Sequence, residues 1–340
     1  MRILYAIQGT GNGHLSRAQE LIPILKKYAE VDVLLSGTQC SETTEVEVRF
    51  RRKGLSIVSG KKGKISWYRT WKEMHFIQFF KDILNLPVRE YDLVISDFEP
   101  LAAWSAKYYQ VPCFELSHQC AVSNPNAPKP ILFAPVSRLT LAYLIPSNHR
   151  VGFHFKEYSQ NVKLPLIREI VRNSYVDDKG HYTVYLPAFD ADFLGEKLSK
   201  IDDVKWQVFV KELPKKKYSG ITFFKVDNHR FVKSMATSTG VFCGAGFETP
   251  AEALFLKKKL MVIPMKGQFE QECNALALKQ MGVRTLSRLD EKGVQKIEKW
   301  VRTPEKVYVN YGDHVEDVVI ELLEEFEHKY GNRTPLLSRI

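Results

Sequence analysis

The sequence lacks paired cysteines, long apolar runs and internal repeats. Its five cysteines are scattered over 340 residues and form no Cys-x-x-Cys pair, which excludes a disulfide scaffold and a zinc ribbon. No apolar run reaches about 18 residues, so the sequence predicts no membrane-spanning helix. Because scattered cysteines are typical of the reducing cytosol, we expect a cytoplasmic protein, at most peripheral at the inner face of the membrane.

The chain is basic without being extreme. Lysine and arginine number 49 against 39 aspartates and glutamates, a formal net charge of +10. Basic clusters surround Arg51, Lys62, Lys216 and Lys258. Such clusters suit nucleic acid, an anionic substrate or an anionic membrane, but most charge runs are solvated surface. We expect no nucleic acid partner.

Short apolar runs alternate with segments of helical periodicity, which predicts parallel, doubly wound sheets. In the first half we predict strands at 3–8, 31–36, 54–59, 93–97 and 111–116, and helices at 15–27, 73–86 and 101–110. Prolines at 123–135 predict a loop, and a helix is expected near 136–144. The alternation restarts at 182. We therefore expect two domains, over 1–155 and 156–314, with a last helix in 315–340 packing back onto the first.

A glycine-rich loop joins the first strand to the first helix. It contains Gly11, Asn12 and Gly13, and His14 follows. Glycines there let a backbone approach a ligand and present N–H groups at a helix N-terminus. A dinucleotide site would need G-x-G-x-x-G and an acid ending the second strand. Here the third glycine comes one position early and Asp32 begins its strand, so this alternative is disfavoured.

Titratable residues end neighbouring strands near that loop. His14 lies at a helix N-terminus, which favours a neutral base. Asp97 ends the fourth strand with Glu99 close behind, and His118 follows the fifth. Because ligands bind at the carboxyl ends of such strands, we expect these residues to converge, with Asp97 orienting His14. Helix capping by Asp97 and buried packing histidines are the structural alternatives.

A second loop has the residues of an anion site. A strand runs into Gly244, Ala245 and Gly246, and a helix with Pro250 in its first turn follows. Free N–H groups there bind anions. Glu252, one turn into the helix, is suited to accept two hydrogen bonds from a ribose diol.

Polar residues also begin the next helix. Glu270 and Gln271 are suited to sugar hydroxyls and lie at the same sheet edge. Asp190 and Asp192 mimic a D-x-D metal motif. Because they stand at a helix start, N-capping is the favoured interpretation.

These loops together resemble the donor-nucleotide signature of two-domain GT-B glycosyltransferases. That signature runs from a glycine-rich turn through an E-A-L triplet and a proline-ended strand to F-E-Q-x-x-N-A and a glycine. Its counterparts here are Gly244-Ala245-Gly246, Glu252-Ala253-Leu254, Ile263-Pro264, Phe269-Glu270-Gln271, Asn274-Ala275 and Gly282. The first loop resembles the acceptor-side loop of the same enzymes. The lipid II-forming N-acetylglucosaminyltransferases and the UDP-glycosyltransferases are the most similar groups, and the chain resembles an uncharacterised branch beside them.

The resemblance implies an α/β fold of two Rossmann-like domains facing a cleft, with donor and acceptor roles divided between them. The first domain would bind the acceptor, with His14 as catalytic base assisted by Asp97. The second would bind the donor through Arg168, Val226, Gly244, Ala245, Gly246, Thr249, Glu252, Glu270 and Gln271. No metal and no cofactor would be needed, because helix dipole and amides stabilise the leaving diphosphate.

Two departures limit the resemblance. The first strand of the second domain ends in Leu186-Pro187-Ala188-Phe189-Asp190 rather than in a glycine-serine loop. Glu270 stands where the lipid II enzyme has glutamine, so N-acetylglucosamine is not assured as donor sugar.

The predicted function is inverting, metal-independent transfer of a sugar from a nucleotide-sugar, most simply UDP-linked, to an unknown acceptor that is anionic or lipid-linked. A UDP-sugar 2-epimerase and a non-catalytic nucleotide-sugar-binding protein are the alternatives.

Aromatic and basic residues alternate near Trp67, Trp71 and Phe80, which suits peripheral membrane contact or a lipid-linked acceptor. A core-facing helix with a charged outer face is the other interpretation.

Overall fold

The computed structural model describes residues 1–9, 12–37, 46–54, 76–130 and 143–331. Within them the chain builds two parallel sheets with the same strand order, which confirms the predicted α/β class. The strands of the first sheet are β1 Arg2–Gln8, β2 Glu30–Ser36, β3 Phe50–Arg52, β4 Leu93–Asp97, β5 Cys113–Ser117, β6 His149–Phe153 and β7 Val162–Lys163. They are ordered β3-β2-β1-β4-β5-β6-β7, and the six strands of the second sheet repeat the order of the first six.

Helices cover the first sheet on both faces, as parallel sheets require. They are α1 Asn12–Tyr28, α2 Phe76–Asn85, α3 Pro100–Tyr109 and α4 His118–Ser123. The run Ile3–Ile7 of β1 is fully buried. Its odd-numbered residues pack with α1, and its even-numbered residues pack with α3. Both faces of this strand are therefore core, which explains its continuous apolar sequence.

The second domain repeats the pattern. Its strands are β8 His181–Tyr185, β9 Lys205–Val210, β10 Ile221–Lys225, β11 Gly240–Gly244, β12 Lys259–Ile263 and β13 Arg284–Thr285. Its helices, after a short α5 Glu169–Arg172, are α6 Ala191–Leu198, α7 Asn228–Ala236, α8 Glu248–Phe255, α9 Phe269–Gln280 and α10 Glu291–Arg302. In each sheet the strand order reverses beside the first strand, so β1 with β4 and β8 with β11 form the two switch points where ligands bind.

The last helix, α11 Val315–Tyr330, crosses back to the first domain. Lys27 of α1 lies 3.2 Å from Glu316, and Lys163 lies 2.5 Å from Glu321. The rings of Phe114 and Phe326 meet edge to face at 6.2 Å. The first sheet also includes β7, which follows residue 155, the predicted end of the first domain.

One strand of the first sheet was not predicted. β3, Phe50–Arg52, pairs with the end of β2, and its middle residue, Arg51, is exposed. The strand predicted at 54–59 has only Gly54 within the described ranges. Residues 55–60 lie outside the described ranges, as does most of the helix expected at 136–144.

The other strands and helices predicted for residues 1–116 agree with the structure to within three residues at each end. Asp190 caps α6 by accepting from the N–H groups of Asp192 and Phe193, which confirms its capping role. None of the described helices is long and apolar enough to cross a membrane.

Candidate functional site

The candidate site lies where the carboxyl edges of the two sheets meet. Gly37, with φ at +121°, packs against Gly9 so closely that a Cβ would lie 3.0 Å from the Gly9 backbone. This contact fixes the start of the first glycine loop. Phe98, with φ at +53°, turns the chain sharply after β4. Asp97 therefore lies at the strand end, while Glu99 is the N-cap of α3.

His14 and Asp97 form a buried hydrogen bond. Nδ1 of His14 lies 2.8 Å from Oδ1 of Asp97, across 83 residues of sequence. Because a carboxylate only accepts, Nδ1 carries the proton, and Nε2 is left as the basic nitrogen. Among the described residues no side chain or backbone group bonds to that Nε2. The pair has the arrangement of a general base and its orienting acid.

Arg17 shares Asp97 with His14. Its Nε and Nη2 lie 2.9 and 2.8 Å from the two Asp97 oxygens. Burial alone would raise the pKa of Asp97, but Arg17 and His14 outweigh it and lower that pKa. Asp97 is thus held ionised inside the protein. The guanidinium of Arg17 is itself buried, and the charge of Asp97 keeps it protonated.

Glu248 joins this group from the other domain. Its Oε1 accepts from Nη1 of Arg17 at 3.2 Å. A Cβ on Gly13 would lie only 3.3 Å from Cγ of Glu248, so the first loop and helix α8 are in contact. Burial first, then the nearby carboxylates of Glu252 and Asp97, raise the pKa of Glu248 to about 8 despite Arg17.

The second glycine loop is open on its ligand side. Nothing lies within 4 Å of a Cβ placed on Gly246, and only Oε1 of Gln271 comes near Gly244, at 3.9 Å. Ala245 is buried and accepts at its carbonyl from Asn274 at 3.1 Å. Thr249 stands partly exposed in the first turn of α8. The N–H of Ala245 donates to the carbonyl of Ile263 at 3.2 Å. The N–H groups that follow it, at the start of α8, suit a diphosphate.

Glu252 is paired with Arg168 in this structure. Nε and Nη2 of Arg168 lie 2.5 and 2.9 Å from the two Glu252 oxygens. Nη1 of Arg168 also donates to Asn228 at 2.6 Å. Two of the residues assigned to the donor therefore meet directly. Val226 is exposed just after β10 and precedes Asn228 by two residues.

The start of α9 meets the first domain. Glu270 accepts at Oε2 from Nε2 of Gln119 at 3.0 Å. Gln271 accepts at Oε1 from the N–H of Met265 at 2.9 Å. The side chain of Glu270 is still 25% exposed, so part of the carboxylate remains free for a ligand.

His118 and Glu99 are engaged elsewhere. Nδ1 and Nε2 of His118 lie 2.7 Å from the Phe153 carbonyl and 2.9 Å from Oδ1 of Asn274. Burial lowers the pKa of His118. Glu99 caps α3 through the amides of Leu101 and Ala102 and also accepts from Ser36. Within the described ranges, neither side chain hydrogen-bonds to His14. Gly11 and the side chain of Asn12 lie outside the described part.

Three contributors to the site were missed from the sequence. Arg17 lies three residues after His14 and therefore on the same helix face, a detectable signal. No such signal marks Glu248 or Gln119, because each acquires its role from a partner in the other domain. In the part of the chain that the structure describes, no group of three or more His, Cys, Asp or Glu residues is arranged to hold a metal ion.

A family model identifies the chain. The model of Glycosyl transferase family 1 matches residues 1–303. No curated protein sequence matches the chain.

Solved structures share the architecture. MurG from Acinetobacter baumannii is similar at 14% identity and a TM-score of 0.57, covering 94% of this chain and 99% of that one. SsfS6, a Streptomyces sp. SF2575 glycosyltransferase complexed with thymidine diphosphate, has 14% identity and a TM-score of 0.58, covering 96% and 99%. A UDP-N-acetylglucosamine 2-epimerase has 13% identity and a TM-score of 0.55, covering 98% and 97%. Identities this low show the fold, which is the expected two-domain GT-B architecture.

Proposed function

The chain belongs to glycosyl transferase family 1, and from this premise we propose that it is an inverting, metal-independent enzyme with a UDP-sugar donor. The observation that carries the proposal is the His14–Asp97 pair, joined through Arg17 to the donor-side helix α8. A base and a diphosphate loop thus meet in one place.

The proposed step is a single displacement. Nε2 of His14 takes the proton of an acceptor hydroxyl while that oxygen bonds to the anomeric carbon. The bond between this carbon and the diphosphate oxygen breaks, and the electron pair leaves with UDP. Asp97 stabilises the imidazolium that forms, and the amides from Gly246 to the start of α8 stabilise the leaving diphosphate.

Donor binding would rearrange one ion pair. The ribose diol needs the Glu252 oxygens that Arg168 now occupies. Arg168, whose Nη1 already reaches Asn228, is placed to turn toward the diphosphate. Arg168 would then pair with the anionic diphosphate, and Glu252 would exchange its cation for hydrogen bonds from the neutral diol.

Titration calorimetry of the full chain with UDP, TDP, GDP and their sugar nucleotides tests the donor half. Glu252→Ala is expected to weaken UDP binding by roughly 10–100-fold, since it removes hydrogen bonds to a charged group. Glu321→Ala, in a surface ion pair with Lys163, is the matched control and should bind like the unaltered chain. If no nucleotide binds, or if Glu252→Ala binds UDP unchanged, the proposed donor site is wrong.

A UDP-sugar 2-epimerase is the second candidate, supported by the similarity to a solved enzyme of that name. Incubation with a UDP-sugar and no acceptor separates the two. Conversion to an isomeric UDP-sugar without release of UDP would favour the epimerase. Tight binding with neither conversion nor transfer, whatever the acceptor, would favour a binding protein.

The acceptor is proposed to be lipid-linked. Helix α2 exposes Ile77, Phe80 and Leu84, with exposures of 77%, 63% and 49%, at spacings of three and four residues. This apolar stripe supports peripheral contact with a membrane. Trp67 and Trp71 lie outside the described ranges. Sedimentation with anionic liposomes tests the contact, since Phe80→Glu should reduce binding if the stripe inserts.

A further inference from the structure

The short helix α4 of the first domain is docked onto the donor side of the second. The His118 ring stacks on Phe247 at 4.0 Å between centroids, with the planes 8° apart. Its Nε2 lies 2.9 Å from Oδ1 of Asn274, and Nδ1 lies 2.7 Å from the Phe153 carbonyl. These contacts fix the start of α4 against α9 and the glycine loop. The next residue, Gln119, is thereby carried into the second domain's site.

The orientation of the Gln119 amide follows from its partner. Nε2 donates to Oε2 of Glu270 at 3.0 Å. Because a carboxylate only accepts, the nitrogen faces Glu270 and Oε1 points away from it. That Oε1 is buried and has no hydrogen-bond partner within the described ranges. Gln119 as a whole is only 8% exposed.

A buried acceptor without a donor is costly and unusual in a folded protein. A second such acceptor lies two residues before Glu270. Oε1 of Gln268, just before α9, is also buried and has no hydrogen-bond partner among the described residues. Glu270 adds a carboxylate that is partly exposed. The start of α9 is therefore rich in side-chain acceptors. A ligand that supplies O–H groups satisfies this arrangement.

We propose that Gln119 is a specificity-determining residue that completes the donor-sugar subsite from the first domain, and that this subsite selects sugars by hydroxyl groups near Glu270. The inference rests on the proposed function, because it assumes that Glu270 faces the donor sugar. Gln119 positions the Glu270 carboxylate with its Nε2 and accepts from a sugar hydroxyl with its Oε1. Removal of either Nε2 or Oε1 of Gln119 weakens binding of the sugar but leaves binding of the nucleotide intact.

The test compares UDP with UDP-sugars on the full chain. Titration calorimetry measures Kd for UDP, UDP-glucose, UDP-galactose and UDP-N-acetylglucosamine, and the ratio of Kd for UDP to Kd for the tightest sugar nucleotide reports on the sugar alone. Gln119→Met keeps the length of the side chain and removes both polar ends. It is expected to lower that ratio roughly tenfold, as loss of one or two hydrogen bonds does, with Kd for UDP unchanged.

Two further variants separate specificity from folding. Gln119→Glu keeps an acceptor but loses the donor to Glu270, so it should also lower the ratio. Gln160→Met, at an exposed position between β6 and β7, should match the unaltered chain. Thermal unfolding of each variant verifies that it is folded at the titration temperature.

The outcomes distinguish this inference from the proposed function. If UDP binds with Glu252 dependence but Gln119→Met leaves the ratio unchanged, the role of Gln119 is wrong and the donor site stands. A ratio near one in the unaltered chain also overturns the inference, since no sugar subsite then exists. If neither UDP nor any UDP-sugar binds, both proposals fail together.

Discussion

The two switch points have the same strand order but different chemistry. At the first, between β1 and β4, three charged or titratable side chains are buried together: His14, Arg17 and Asp97. At the second, between β8 and β11, the loop offers backbone amides and glycines, and its carboxylate Glu252 stands a turn further on. One edge is therefore suited to moving a proton and the other to holding an anion. Strand order positions a ligand, and the side chains at the edge decide its chemistry.

The largest expected effect is a loss of sugar transfer without a loss of UDP binding, which would separate the roles of the two edges. His14→Gln should slow sugar transfer by roughly 10²–10⁴-fold, because the positioned base is lost, while UDP affinity stays unchanged. Release of UDP from the tightest-binding sugar nucleotide measures the first quantity and calorimetry the second. His149→Gln, a histidine on β6, is the control and should retain full activity. A parallel loss of UDP binding would show that His14 serves the donor instead.

Arg17→Met tests the buried charges of the first edge. It leaves Asp97 without its cation, which should cost about 3–5 kcal/mol in the free energy of unfolding, as removal of one partner of a buried pair does. Urea unfolding measures the loss. The double variant Arg17→Met with Asp97→Asn should be less destabilised than the sum of the single changes. Strict additivity would mean that the two side chains do not interact in solution.

Glu248, which lies between the two edges, makes the stability of the fold depend on pH. Its pKa is raised to about 8, so between pH 4.5 and 8 the folded chain binds the proton that the unfolded chain releases. The contribution of Glu248 to stability therefore falls as pH rises through this window and is flat above it. Glu248→Gln should lose less stability than the unaltered chain between pH 6 and 9, measured by urea unfolding.

Glu291→Gln is the matched control for that titration. Lys197 and Lys200 lower the pKa of Glu291 to about 2, so its contribution is lost only in acid. This variant should follow the pH dependence of the unaltered chain between pH 6 and 9. If Glu248→Gln follows it too, then Glu248 is already ionised at neutral pH and pairs with Arg17 as an anion.

The smallest effect concerns Glu99, which lies two residues from Asp97 yet serves the fold. Glu99→Ala removes the cap of α3 and should cost about 0.5–2 kcal/mol with UDP affinity unchanged. Asp190→Ala, the cap of α6 in the second domain, should cost a similar amount. A marked fall in sugar transfer by Glu99→Ala, at a temperature where the variant is folded, would show that Glu99 also acts in the acceptor site.

Sequence reasoning located the glycine loops and strand ends because short-range signals mark them. It placed His14 at the first helix start and Asp97 at the end of β4, and the parallel register brings such ends together. It did not predict β3, since a three-residue edge strand with an exposed arginine has a weak apolar signal. It did not show which groups Glu99 and His118 would bond to, because a strand end shows the edge a residue lies on but not the direction of its side chain.

The sequence by itself determined the two α/β domains, the family and the residues at the two loops, since periodicity and loop composition are local properties. Only the tertiary structure decided the partners. Arg17 meets Glu248 across 231 residues, Gln119 meets Glu270 across 151, and Arg168 meets Glu252 across 84. Each pairing depends on how the domains and the segment joining them pack, and the burial that gives these polar contacts their strength exists only after that packing.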